Sequence, residues 1–210
     1  MQHRLSGRKV AILATDGVEQ IELEQPRRAL DAAGATTHLI APRGDSIQAM
    51  NHDAKGARLP VDRTLHGVRP SDYDALVLPG GVANPDRLRM EQAAVQFVRE
   101  FMLAEKPVAA ICHAAWLLVE AGAVSGRTLT SWPSLQTDIR NAGGEWVDEA
   151  VRVDDNLVTG RKPADLEQFC ATIVREFAGR MADVAVDSVG EQSLPAGDPS
   201  AIRGDGAARS

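Results

Sequence analysis

KPVAAICHAAWLLVEAG, residues Lys106–Gly122, is the stretch from which the fold can be read. Pro107–Cys112 is a short apolar run without alternation, the pattern of a strand buried on both faces. At His113 the pattern changes, and His113–Gly122 reads as a helix closed by its glycine. A buried strand that runs straight into a helix is half of a β-α-β unit.

The same unit recurs on either side. KVAILA (Lys9–Ala14), TTHLIA (Thr36–Ala41) and DALVLP (Asp74–Pro79) are further buried strands. Behind the first strand, Ile21, Ala29, Leu30 and Ala33 give a helical stripe that ends at Gly34. Asp16 and Glu19 are spaced as a capping box, and Pro26 predicts a kink or a late start. ARLPVDRTL (Ala57–Leu65) predicts a small edge hairpin, because Pro60 is excluded from a central strand. Helices are expected over Glu91–Ala104 and within SWPSLQTDIRNAGG (Ser131–Gly144). Strands follow near Trp146–Val153 and Asn156–Thr159, and Pro163 opens a last helix to about Ala178. Strands alternating with helices imply a mainly parallel sheet covered on both faces. Residues 1–179 form one α/β domain on this pattern, and 180–210, rich in Gly, Ser, Asp, Pro and Ala, read as a disordered tail.

Composition narrows the class. The 210 residues carry 23 basic and 29 acidic side chains, a formal charge of −6. With no Lys/Arg block, neither nucleic acid nor an anionic membrane is an expected partner. Cys112 and Cys170 are isolated, which excludes zinc ribbons and Cys-x-x-Cys redox motifs and suits a reduced compartment. The apolar run Val10–Ala14 is too short for a signal peptide, and Val108–Val119 is too short to span a bilayer. A cytoplasmic protein is expected.

Cys112 is the sharpest chemical feature. It ends a strand at the edge where open α/β sheets bind ligands, on a turn that would lift a nucleophile above the next helix. The unpaired N–H groups there would favour a thiolate, bringing the pKa from ~8.5 towards roughly 3.5–7.5. His113 beside it could act as base and acid, although a surface histidine starting a helix fits as well. Glu19 and Glu22 follow the first strand, and a carboxyl beside the sulfur would leave one of the two groups holding a proton. Glu19 equally fits a capping acid, and Glu22 a solvated helix face. Gly80 and Gly81 could let backbone N–H groups meet an oxyanion or could form an ordinary turn. Asp86 could orient an imidazole or cap a helix. The histidines stand at 3, 38, 52, 66 and 113, so none follows Cys112. A class I glutamine amidotransferase triad is therefore excluded. No metal-ligand spacing, G-x-S-x-G or phosphate-binding glycine motif occurs, and no cofactor is expected.

ALVLPGG, KPVAAICHAAWLLVEAG, GRTLTSWPS, IRNAGGEWVDE and RKPADL together resemble the PfpI intracellular-peptidase family, in the superfamily of the parkinsonism-associated deglycase. The resemblance covers about Lys9–Ala178. It implies a flavodoxin-like three-layer α/β sandwich. It also implies that Cys112 is the elbow nucleophile, His113 its neighbouring histidine, Glu19 the acid bonded to the thiol and Gly81 the oxyanion glycine. Asp86 falls where peptidase-type members carry the acid of a triad completed across a subunit interface. The implied activities are cofactor-free: peptidase, glyoxalase, or removal of glyoxal-type adducts, with small carbonyls, peptides or proteins as substrates and homodimers or hexamers as assemblies. Two departures stand out. Ala114 and Ala115 replace a usual Gly-Pro, which predicts altered elbow geometry and altered N–H alignment at Ala114, and Asp86 stands where Glu is common. The rival expectation is a redox-sensing or chaperone-like stress protein that uses the same cysteine.

Overall fold

The apolar runs become strands because each can bury both faces. In order, the chain forms β1 (Lys9–Leu13), α1 (Gln20–Ala32), β2 (Thr36–Ala41), β3 (Ser46–Asn51), β4 (Ala54–Pro60), β5 (Arg63–Thr64), β6 (Ala75–Leu78), α2 (Ala83–Leu88) and α3 (Gln92–Leu103). It continues through β7 (Val108–Ile111), α4 (Ala115–Glu120), β8 (Thr128–Leu129), α5 (Gln136–Asn141), β9 (Glu145–Trp146), β10 (Val151–Asp154), β11 (Leu157–Gly160) and α6 (Leu166–Gly190). This is a computed structural model that describes residues 4–190, with side-chain surroundings given through residue 180.

Seven strands make the central sheet, in the order β10-β11-β7-β6-β1-β2-β5. All neighbours are parallel except β10, which pairs antiparallel with β11. Alternate residues of each strand feed opposite layers. On one face Val10, Ile12, Val77 and Ile111 pack with Leu23 and Leu30 of α1 and with Phe169, Ile173 and Phe177 of α6. On the other, Leu13, Leu76 and Leu78 meet Phe97 and Phe101 of α3, Leu117 and Leu118 of α4 and Ile139 of α5. The result is the expected α/β sandwich with helices on both faces. Among the described residues no helix is long and apolar enough to cross a membrane.

Four local expectations are corrected. The hairpin is not Ala57–Leu65: β4 pairs with β3, while β5 adds parallel to β2 at the sheet edge. Pro60 ends β4, where its missing N–H removes no central-sheet bond. Asp16 does not cap α1. Its carboxylate accepts the Gln48 N–H at 2.7 Å, and Glu19 occupies the N-cap position without a side-chain cap. α1 starts at Gln20 and continues through the buried Pro26. α6 runs to Gly190, beyond the expected end near Ala178, and the rest of the expected tail, 191–210, lies outside the described residues.

Phe169 tests how far α6 holds the sheet. It is fully buried, and a Cβ on Gly160 of β11 would come within 2.7 Å of its ring, so helix and strand are in close contact. Phe169→Ala should lower unfolding free energy by about 3–5 kcal/mol in urea titrations. A loss under about 1 kcal/mol would show that α6 is not integral to the core.

Candidate active site

The parallel register aligns the carboxyl ends of β1, β6 and β7, and the segments that follow them meet there. After β7 the chain turns at once. Cys112 has φ +62°, one of four described non-glycine residues in the left-handed region. A side chain is held in that region only when its surroundings fix it, at a cost on the order of 1–3 kcal/mol. A three-residue turn, Cys112–Ala114, then leads into α4. Ala114 and Ala115 have φ −56° and −58°, ordinary right-handed values. The Gly-Pro replacement therefore costs no strain: Ala115 keeps the φ a proline would impose, and the strained position is the cysteine. The Ala114 side chain is buried in the core on the α3–α5 side and does not line the cavity.

Cys112 Sγ lies 3.2 Å from His113 Nδ1. The imidazole stacks on Trp132 at 5.6 Å and meets Trp116 edge-on at 5.3 Å. Burial pushes its pKa down, which keeps the ring neutral and able to accept a proton.

The carboxyl beside the sulfur belongs to Glu22, not Glu19. Glu22 is fully buried and is the hydrogen-bonding neighbour of the Cys112 thiol. Its Oε2 accepts the Gly80 N–H at 3.0 Å, and its Oε1 has no hydrogen-bond partner. Burial pushes this carboxyl up to about 8, so it holds its proton at neutral pH. Glu19 lies one helical turn away in the same cavity, where its Oε2 accepts the His52 N–H at 3.0 Å. Glu19 thus fastens the β3–β4 hairpin rather than the thiol.

Burial and the adjacent carboxyl push the Cys112 thiol up, opposite to the shift expected from a helix terminus. Cys112 is only 5% exposed, and the turn and the six-residue α4 above it are too short to offset that desolvation. A thiolate and a carboxylate packed together without water cannot both be charged, so the pair shares a proton. The backbone N–H groups of Gly81 and His113 favour the thiolate form, against the effect of burial and of Glu22. The chemistry offered is a base-assisted thiol, with His113 able to take its proton.

Gly80 is a steric requirement: a Cβ there would strike Glu22 Oε2 and sit 2.7 Å from Ile111 O and 2.8 Å from Cys112 Cβ. Gly81 has φ +82°, and a Cβ on it would lie 2.6 Å from Gly17 O. Asn84, buried and not anticipated, ties these segments together. Its Oδ1 accepts the Thr15 N–H at 2.7 Å, and its Nδ2 donates to Pro79 O at 2.9 Å and Gly80 O at 3.2 Å. Asp86 is exposed on α2 and does not line the cavity.

Above the sulfur is a cavity of about 320 Å³, lined by Glu19, Glu22, Gly81, Cys112, His113 and Trp132 together with Met50, His52 and Asp53 of the hairpin. The hairpin residues had no signal as site residues, since only the fold brings them there. Glu22 did have one: it shares a helical face with Pro26 and Leu30, the buried stripe of α1. Among the described residues no group of three or more His, Cys, Asp or Glu side chains is placed to hold a metal ion.

The sequence and the fold resemble those of known proteins. The pattern of the DJ-1/PfpI family matches residues 8–176. A protein from Pyrococcus horikoshii named as a deglycase is 40% identical over 169 residues, covering 80% of this chain and 96% of its own. An uncharacterized protein from Staphylococcus haemolyticus is 39% identical over 172 residues, covering 81% and 98%. The crystal structure of Drosophila melanogaster DJ-1beta superposes with a TM-score of 0.75 at 27% identity, covering 87% of this chain and 97% of that one.

The buried proton on Glu22 has a measurable consequence. Folding raises its pKa from 4.5 to about 8, so the stability linked to protonation is complete below pH 4.5 and drains away as pH rises through 8. Glu22→Gln cannot ionise and should be more stable than wild type by about 2–4 kcal/mol at pH 8.5, with the gap closing towards pH 4.5. Paired thermal melts across that range measure it; a gap independent of pH would mean that Glu22 is not protonated in the folded chain.

Proposed function

The chain belongs to the DJ-1/PfpI family, and from that premise we propose that it is a cofactor-independent cysteine enzyme acting on reactive carbonyl compounds and their protein adducts. The observation that carries this reading is the constellation at Cys112: Sγ 3.2 Å from His113 Nδ1, beside the buried Glu22 carboxyl, at the floor of a cavity. A deglycase-named relative supports the same class.

The steps balance without an external redox partner. Sγ adds to an aldehyde carbon while its proton passes to His113 Nδ1. The carbonyl π pair moves to oxygen, which takes up a proton from Glu22, giving a hemithioacetal. In a 2-oxoaldehyde, the Glu22 carboxylate can then take the proton from the aldehyde carbon and return it to the neighbouring carbonyl carbon, while the protonated His113 gives its proton to the ketone oxygen to form the enediol and takes one back from the other hydroxyl. That internal transfer oxidises one carbon and reduces the other, and leaves a thioester of a 2-hydroxy acid. Water releases the acid and restores the thiol. For an aminocarbinol adduct, the carbon–nitrogen bond breaks first, the hydroxyl proton passes to nitrogen, the amine leaves, and the freed 2-oxoaldehyde enters the same sequence.

Carbonyl chemistry suits this chain better than peptide hydrolysis. A peptide amine leaves only when protonated by an oriented imidazole. Among the described residues no carboxylate accepts a hydrogen bond from His113, whose ring is held instead by Trp116 and Trp132. Asp86, exposed on α2, could serve only from a neighbouring chain.

Lactate formation from methylglyoxal tests the proposal. Cys112→Ala should abolish it, and His113→Gln should lower kcat by about 10²–10⁴-fold. Lactate formed by Cys112→Ala at the wild-type rate would remove the sulfur from the mechanism.

A further inference from the structure

The cavity above Cys112 is one-sided in charge. Its lining includes Glu19 and Asp53, besides the protonated Glu22, and no lysine or arginine. Basic groups do stand close by on the same edge of the sheet, in a neighbouring cleft, but they are engaged there. Arg43 pairs with Glu91, and Arg87 donates to Asp16 O at 2.8 Å. Among the described residues no cation pairs with Glu19 or Asp53.

Asp53 is placed by structure rather than left on a loose loop. It shares the two-residue β3–β4 turn with His52, whose φ is +55° and whose N–H is tied to Glu19 Oε2. The hairpin is fastened further by the Gly17 N–H to Gln48 O at 2.8 Å and the Met50 N–H to Val18 O at 2.7 Å. The turn therefore carries an exposed aspartate on the cavity lining. The rest of the mouth includes apolar surface, with Val82 58% and Trp132 38% exposed. An entering molecule meets apolar surface and unpaired negative charge. In a cleft walled by low-dielectric material such charge is focused, so an anion loses hydration there without gaining a partner.

We propose that this cavity selects by charge: it favours carbonyl substrates that carry an ammonium or guanidinium group, tolerates uncharged ones and rejects 2-oxo acids and phosphorylated carbonyls, with Asp53 as the specificity-determining residue. The inference rests on the carbonyl reading of Cys112 and adds to it which substrates reach the sulfur.

The test uses two thiol reagents of opposite charge on the full chain. These are 2-aminoethyl methanethiosulfonate, a cation, and 2-sulfonatoethyl methanethiosulfonate, an anion. With each, the cysteine sulfur attacks the thiosulfonate sulfur, forms a mixed disulfide and expels methanesulfinate. Rates at Cys112 are followed by peptide mass spectrometry and divided by each reagent's rate with free 2-mercaptoethanol. The normalised cation-to-anion ratio should exceed one by roughly tenfold in low salt and shrink in high salt. Asp53→Asn should lower it roughly threefold, and Asp53→Lys should bring it to one or below. In both variants the cation slows while the anion speeds up; a merely loosened hairpin would speed both. A wild-type ratio near one, or a ratio unmoved by Asp53→Lys, overturns the charge selection and leaves the carbonyl reading standing. Failure of both reagents to reach Cys112 in the folded chain overturns the two together.

Discussion

The site depends on one constraint: a carboxyl and a thiol share a pocket floor that is almost shut off from water. Glu22 and Cys112 come from different elements, the first turn of α1 and the end of β7. Neither can be charged cheaply there, and the two cannot be charged together. The proton that one must keep becomes the proton that the chemistry can use, because a neutral carboxyl is a donor where a carboxylate is only an acceptor.

Much of the surrounding structure serves to hold that contact. Gly80 has no side chain because the space its Cβ would fill is taken by Glu22, the Ile111 carbonyl and Cys112 itself. Asn84 joins the ends of β1 and β6 through three hydrogen bonds, which fixes the turn whose N–H groups face the carboxyl. Cys112 accepts a left-handed backbone so that Sγ points out of the sheet, and the helical φ values of Ala114 and Ala115 confine the strain to that one residue. The β3–β4 hairpin then closes one side of the cavity, fastened through Glu19 to the loop before α1. The hairpin is held by backbone hydrogen bonds from Gly17 and Met50 as well as by the Glu19 carboxylate.

The central strands were legible because burial on both faces demands an unbroken apolar run, and β1, β2, β6 and β7 have one. The hairpin was not. Ser46–Asn51 and Ala54–Pro60 are polar and half-exposed, and what defines them is pairing with each other and docking on the segment after β1. The phase of α1 was misread for a related reason. Ile21 looks like a core residue but is 38% exposed, while Glu22 looks like a surface residue and is fully buried. Hydrophobicity places a side chain only when its neighbours are apolar, and here the neighbour is a sulfur.

By itself the sequence determined the alternation of strands and helices, the position of Cys112 at a strand end and the pair of glycines after β6, since each follows from local backbone and burial rules. Only the tertiary structure decided that Glu22 rather than Glu19 meets the thiol, that the thiol's pKa is pushed up rather than down, and that Asp53 lines the cavity. Those outcomes depend on distances between segments far apart in the chain and on the exclusion of water where they meet. No periodicity in a single segment encodes either.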